Sequence, residues 1–132
     1  MSAASDYLEN EVLDHVLGQG ARDFTSPANL YVGLFSAATG LEENTPSAEI
    51  AGGAYARKTV AFSVANAGSS ASSATVTFDT ATQNWGTVTH LAVMDASSGG
   101  NVLFWGALTA SKTVSTGDTF QISAGNLTVT LA

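Results

Sequence analysis

The segment from Trp85 to Leu108 constrains the fold of this chain more than any other part of the sequence. Two runs of apolar and β-branched residues flank a turn of small and polar residues around Gly99–Gly100. β-Branched and aromatic residues favour strands, and glycine-rich pairs between two such runs are typical of hairpin turns. The pattern predicts a β-hairpin within an all-β scaffold, and it contains almost nothing that can carry out chemistry.

The second strand of this hairpin is apolar on both faces. Val102, Phe104 and Leu108 lie on one face of the strand. The other face is apolar as well, with Leu103, Trp105 and Ala107. A strand of this kind is central in a sandwich, covered by a helix, or part of a subunit interface.

Residues 5–17 are the one segment for which we predict a helix. Ser5 or Asp6 can cap its N-terminus, and Gly18 is a natural stop. Apolar side chains share one face at helical spacing: Leu8, Val12, Leu13, Val16 and Leu17. A helix this short is marginal alone, so the stripe must pack on its own sheet, which we favour, or on a neighbouring subunit.

The rest of the chain predicts about eight short strands separated by turn signals, starting with the apolar run Leu30–Ser36. We therefore expect a mainly β fold, a single antiparallel β-sandwich domain over residues 1–132, jelly-roll-like, with one N-terminal amphipathic helix. Residues 37–53 contain glycines, a proline and three acids. They are expected to form a long surface loop that is mobile or binds a partner.

Charge limits the range of partners. The 132 residues include 11 acids and only 4 lysines and arginines, for a net charge of −7. Binding to nucleic acid or to anionic membranes needs clustered cations, so we expect neither. A surface of small and uncharged residues has few charges to desolvate, which favours packing against other subunits.

Cysteine is absent, which excludes disulfides and thiolate metal sites. The N-terminus lacks the basic and apolar regions of a signal peptide, and no apolar run approaches the roughly 20 residues of a membrane span. We expect a chain that is made in a cytoplasm and not exported by the usual route.

Residues that carry catalysis in other proteins are scattered here. His15 and His90 have no carboxylate at a metal-binding spacing, and no serine lies in a Gly-x-Ser-x-Gly pattern. Glu42, Glu43 and Glu49 lie in a turn-rich segment, where acids are usually solvated. We expect no enzyme activity, no catalytic residue, no cofactor and no metal ion.

Aromatic residues suggest a different kind of site, a platform for sugar rings. Stacking requires exposed rings, whereas rings in apolar strands are more often core, as we expect for Phe62, Phe78 and Phe104. Trp85 stands at a strand start before a glycine, and the sequence does not decide whether its ring is buried or exposed. Tyr55 is the other candidate for an exposed ring.

Five blocks of sequence, taken in order, resemble a group of small virion proteins of tailed bacteriophages, described as tail-fibre-like or head decoration proteins. The blocks are residues 5–18, Leu30–Phe35, Gly52–Arg57, Trp85–His90 and Gly99–Asn101. The resemblance runs nearly end to end. It implies a non-enzymatic structural role in a virion assembled in the host cytoplasm, and it carries over no catalytic residue.

Our first hypothesis is a capsid decoration, or cement, protein that stabilises the head as a homo-oligomer, expected to be a trimer. Its partners would be the major capsid protein or other virion proteins. The alternative is a tail-fibre-like receptor- or carbohydrate-binding module at the tail tip, and only this alternative makes a host-surface glycan a partner. The residues expected to contact partners are Leu8, Val12, Leu13, Val16, Glu42, Glu43, Trp85 and Trp105.

Overall fold

The computed structural model describes residues 3–20 and 24–131. In chain order the elements are β1 (Ala3–Ala4), α1 (Asp6–Leu17), β2 (Leu30–Phe35), β3 (Lys58–Val60), β4 (Ser69–Ala71), β5 (Val76–Thr77), β6 (Gly86–Met94), β7 (Val102–Val114), β8 (Gln121–Ile122) and β9 (Thr128–Thr130).

An antiparallel five-stranded sheet in the order β1-β7-β6-β2-β3 forms the main layer. Two antiparallel pairs, β4 with β9 and β5 with β8, stand apart from it. The side chains of β5 and β8 pack into the same core as one face of the main sheet. This mainly β, sandwich-like arrangement with one helix confirms the predicted fold class.

The larger core fills the space between the main sheet and the β5–β8 pair, and Leu127, just before β9, also belongs to it. It contains Phe78 and Phe120, whose rings meet edge to face at 5.7 Å between centroids. Trp85 meets Tyr55 in the same way at 5.5 Å. Leu34, Val88 and other strand residues complete this cluster, which excludes water from one face of β2, β6 and β7.

A second core cluster covers the opposite face of the main sheet. Phe35, Leu41, Ala92, Met94 and Val102 are all fully buried there, and Trp105 packs against them. Leu41 comes from the segment between β2 and β3, so this segment is the cover for the second face. The apolar character of both faces of β7 is thus explained within one chain.

A β-bulge at Leu103 changes which residues of β7 share a face. Val93 pairs with Phe104 while Met94 pairs with Val102, so Leu103 is an extra residue. Val102 therefore lies with Trp105 in the second cluster, and Phe104 lies with Leu108 against the first. The prediction that Val102, Phe104 and Leu108 share one face was wrong, because simple alternation cannot include an inserted residue.

β7 is also longer than the sequence predicted, and it runs on to Val114. Its pairing is interrupted where His90 opposes Ala107 and Val88 opposes Lys112. Residues 108–111 of β7 therefore bulge outward opposite the single residue Thr89.

Helix α1 begins and ends where the sequence predicts. Ser5 is the N-cap, and its side chain accepts a hydrogen bond from the Leu8 amide at 3.3 Å. Gly18 ends the helix in the left-handed conformation, which glycine adopts without a steric penalty. Ser5 is also fully buried, and its hydroxyl donates to the carbonyl of Val102. No helix in the described part of the chain is long and apolar enough to cross a membrane.

Residues 37–53 pack more closely against the rest of the chain than we expected of a surface loop. Leu41 is fully buried, and the Ile50 amide donates to the Leu34 carbonyl at 2.9 Å. Asn44, at φ 59°, accepts from the Val102 amide at 2.7 Å and donates to Asn101 at 2.9 Å. These long-range contacts fix the segment against the hairpin.

Candidate functional site

The apolar stripe of α1 divides into a buried and an exposed part. Leu8 is buried and Val12 half-buried, so the first turns of the helix pack on the same chain. Leu13, Val16 and Leu17 remain 55%, 72% and 66% exposed. Packing on its own sheet, which the sequence favours, therefore accounts for only two of the five side chains in the stripe.

The start of α1 is joined to residues 37–53 at Glu42. The Asp6 amide donates to the Glu42 carbonyl at 2.9 Å, and the Trp105 indole Nε1 donates to the Glu42 carboxylate at 2.8 Å. Three of the regions predicted to contact partners, the helix, Glu42 and Trp105, thus lie on one surface. Glu43 follows directly and is exposed.

Carboxylates gather at this junction. Carboxylate oxygens of Asp6, Glu9 and Glu42 all lie within 4.8 Å of one another. Neither of the two ion pairs found among residues 3–20 and 24–131 involves them. Acidic groups of this kind are common on exposed surfaces, so the grouping alone does not indicate a metal ion; it does make this surface strongly negative.

Trp85 lies elsewhere, in the larger core on the opposite face of the main sheet. Only 7% of the residue is exposed, and its indole Nε1 donates to the Gly53 carbonyl at 2.8 Å. Its ring is therefore unavailable for stacking on a sugar, which answers in favour of the core the question that the sequence left open for Trp85. The glycine that follows it, Gly86, has φ 84° at the start of β6. A glycine at this position marks the strand start but does not indicate whether the tryptophan is buried.

Glu49, Tyr55 and Arg57 form a hydrogen-bonded network that sequence reasoning missed. Glu49 was expected to be solvated. Instead its carboxylate accepts from Arg57 Nε at 2.7 Å and Nη2 at 2.8 Å, and from the Tyr55 hydroxyl at 2.7 Å. The Leu34 amide donates to the Tyr55 hydroxyl at 3.0 Å, which ties the network to β2.

Each ionisable group in this network is held in one protonation state. Burial alone would raise the pKa of Glu49, but hydrogen bonds from Arg57 and Tyr55 and the charge of Arg57 lower it below its ordinary value. The hydrogen bond to Glu49 raises the pKa of Arg57. Burial raises the pKa of Tyr55, so its hydroxyl stays protonated and donates. The network is a clamp and not an acid–base pair, because neither Glu49 nor Tyr55 is poised to exchange a proton near neutrality.

The two histidines lie in different settings. His15 is in the last turn of α1, where a basic group suits the helix dipole. His90 Nδ1 lies 2.8 Å from the Thr89 hydroxyl, and its ring is 6.3 Å from that of Trp105. His90 is therefore a hydrogen-bonded residue of β6.

An open cleft of about 630 Å³ lies between the outward bulge of β7 and the segment around β8. Leu91, Leu108 and Phe120 contribute apolar lining, and Thr109 and Lys112 contribute polar lining. Many of its other polar side chains are engaged within the chain, as in the Thr113–Thr87 hydroxyl contact at 3.1 Å. The cleft is large enough for a small ligand.

Residues 3–130 match the family described as Podophage GP4 fiber I protein gp80. A search of curated proteins found no match to the chain. The matched range includes all the strands, the helix and the surface at Glu42. The chain therefore belongs to the Podophage GP4 fiber I protein gp80 family and is a structural protein of a tailed-bacteriophage virion.

Proposed function

We propose that this chain is a non-enzymatic structural component of a bacteriophage tail fibre. The observation that carries the proposal is the family match, which spans residues 3–130. Because that family is described as a fibre protein, it favours the tail-fibre hypothesis over the capsid decoration hypothesis.

The geometry supports a role in binding other virion proteins. Glu49 is engaged on both oxygens by Arg57 and Tyr55, which leaves it poorly suited to act as a base. The surface formed by α1 and Glu42 combines exposed apolar side chains with acids, which suits protein–protein contact.

We also propose that the chain acts as a homo-oligomer, expected to be a trimer. Support comes from composition, since only 11% of residues are charged and association would desolvate few charges. Sedimentation equilibrium of the purified chain tests this. A mass near 13.4 kDa at all concentrations would contradict it.

Locating the chain in intact particles tests the main proposal. Cryo-electron microscopy of the phage, with the chain carrying a small electron-dense or epitope label, is expected to show density on the fibres. Label on the head alone would contradict the fibre role and restore the capsid decoration hypothesis. A label-free particle serves as the control for background density.

Glycan binding is a second candidate function, and the cleft beside β7 is the feature that favours it. Its volume of about 630 Å³ and its mixed lining suit a sugar better than the buried Trp85 does. A glycan array probed with the purified chain is expected to give a signal that Thr109→Trp removes by filling the cleft. A blank array with the folded wild-type chain would contradict this function.

A further inference from the structure

The last two turns of α1 present an apolar stripe to solvent. Leu13, Val16 and Leu17 are spaced i, i+3 and i+4, so their side chains share one face of the helix. Single exposed apolar residues are common on protein surfaces, but three contiguous ones on one helix face are typical of a helix that docks into a groove.

Acidic side chains continue the same stripe toward the start of the helix. Glu9 precedes Leu13 by four residues and Asp6 precedes it by seven, so both project on the side of Leu13. Glu42 adds a third carboxylate beside them. The helix face is therefore acidic at one end and apolar at the other.

The described cations of this chain lie away from these acids. Arg57 pairs with Glu49 and Lys58 pairs with Asp79, each at an N–O distance below 3 Å. Lys112 lines the cleft beside β7. The carboxylates at the start of α1 are thus available to pair with cations of another molecule.

The same helix of a second copy of this chain is a poor match for this face. Two such helices docked in parallel would place acids against acids. Docked antiparallel, they would place carboxylates against leucine and valine, where a charge without a partner is costly to desolvate. Charge complementarity instead requires clustered cations, and the described part of this chain does not offer them, because Arg57 and Lys58 are paired internally and Lys112 stands alone in the cleft beside β7.

We propose that the face formed by Asp6, Glu9, Leu13, Val16 and Leu17 docks into an apolar groove of another virion protein, and that lysine or arginine side chains border the groove at the end that receives Asp6. The inference rests on the proposed function, because the partner is another component of the particle. The apolar side chains supply most of the contact area, and the acids set the direction in which the helix lies.

Photo-cross-linking within assembled particles tests which molecule covers the stripe. A benzophenone amino acid replaces Leu17 in the phage that encodes the chain. The matched control carries it at Val64, which is 94% exposed and outside the helix. We expect the Leu17 position to cross-link to one virion protein other than this chain, at a segment that contains both apolar and basic residues. A cross-link to a second copy, or none from particles that contain the chain, would overturn the inference.

Charge variants test the basic border of the groove. We expect Asp6→Asn combined with Glu9→Gln to lower retention of the chain on salt-washed particles at least tenfold, and Leu17→Ser to do the same. Glu11→Gln and Val64→Ser are the matched controls, because Glu11 projects on the other side of α1, near Tyr7. Unchanged retention of the double variant would overturn the inference that lysine or arginine side chains border the groove.

The outcomes separate this inference from the proposed function. If mass spectrometry finds no copy of the chain in purified particles, the virion role and the docking inference both fail. If the chain is present on fibres but Leu17→Ser and the charge variants are retained as well as wild type, only the docking inference fails. Circular dichroism of each variant checks that α1 still folds.

Discussion

Arg57 and Glu49 are joined by two hydrogen bonds, from Nε to Oε2 at 2.7 Å and from Nη2 to Oε1 at 2.8 Å. The remaining guanidinium nitrogen donates to the carbonyls of Ala96 and Gly99, each at 2.8 Å. One side chain therefore connects the segment after β2 with the turn of the β6–β7 hairpin. Together with the contacts of Ile50 and Asn44, this connection holds residues 37–53 against the main sheet and the hairpin.

Removing this clamp should destabilise the fold. We expect Arg57→Ala to lower the free energy of unfolding by about 2–3 kcal/mol, because it leaves the half-buried Glu49 carboxylate with the Tyr55 hydroxyl but no cation and leaves two carbonyls without their donor. Lys58→Ala is the matched control. Lys58 pairs with Asp79 at the surface, so its loss should lower the free energy of unfolding by less than about 1 kcal/mol. Urea denaturation measures both. Equal losses of stability in Arg57→Ala and Lys58→Ala would contradict the stabilising role of the Arg57–Glu49 pair.

The lowered pKa of Glu49 predicts a dependence of stability on pH. In the folded chain Glu49 titrates below its ordinary value of 4.5, so its contribution is full above that value and is lost as the pH falls through the folded pKa. The free energy of unfolding of wild type should therefore fall more steeply below pH 4.5 than that of Glu49→Gln. Parallel curves from pH 6 to pH 3 would show that Glu49 does not carry this dependence.

The elements that the sequence predicts well are those encoded by neighbouring residues. Ser5, Gly18 and the spacing of Leu8, Val12 and Leu13 define α1 locally, and the structure matches. Gly99 and Gly100 mark the hairpin turn in the same way, and both have positive φ.

Features that depend on distant residues escaped prediction. The bulge at Leu103 follows from the combined packing of β7 against β6 and β1, and alternation in one strand carries no sign of it. The burial of Leu41 and the pairing of Glu49 with Arg57 depend on where the chain crosses the sheet. The residues next to Trp85 in the sequence do not indicate whether its ring is buried or exposed. The candidate surface was accordingly predicted at the helix, Glu42 and Trp105, but their mutual contacts were not.

Trp85→Ala should act on stability. The ring is buried among core residues, so its loss leaves a cavity and should lower the free energy of unfolding by about 3–5 kcal/mol. Trp85→Phe should cost less, because it keeps most of the volume and loses the hydrogen bond to Gly53. Thermal unfolding measures both variants. A Trp85→Ala variant as stable as wild type would contradict the burial of this ring.

Tyr55→Phe should destabilise the chain although it removes a single oxygen. The Leu34 amide donates to that oxygen and the hydroxyl donates to Glu49, so the variant leaves a buried amide without its acceptor. We expect a loss of about 1–2 kcal/mol by urea denaturation. Tyr31→Phe is the control, because Tyr31 only packs against the second cluster with its ring. A larger effect at Tyr31 would contradict the role assigned to Tyr55.

Ser5→Ala should loosen α1 while leaving the main sheet intact. Ser5 connects the two elements: its hydroxyl caps the helix at the Leu8 amide and donates to the Val102 carbonyl, and its amide donates to the Leu103 carbonyl at 2.9 Å. Losing the hydroxyl removes the cap and leaves a buried carbonyl short of a donor, at a cost of about 1–2 kcal/mol. Hydrogen exchange should therefore become faster in Leu8–Leu17 and stay unchanged in β6, and Ser98→Ala, at an exposed turn position, should alter neither. Faster exchange throughout β6 would mean that Ser5 supports the whole sheet, and unchanged exchange in α1 would mean that Leu8 alone anchors the helix.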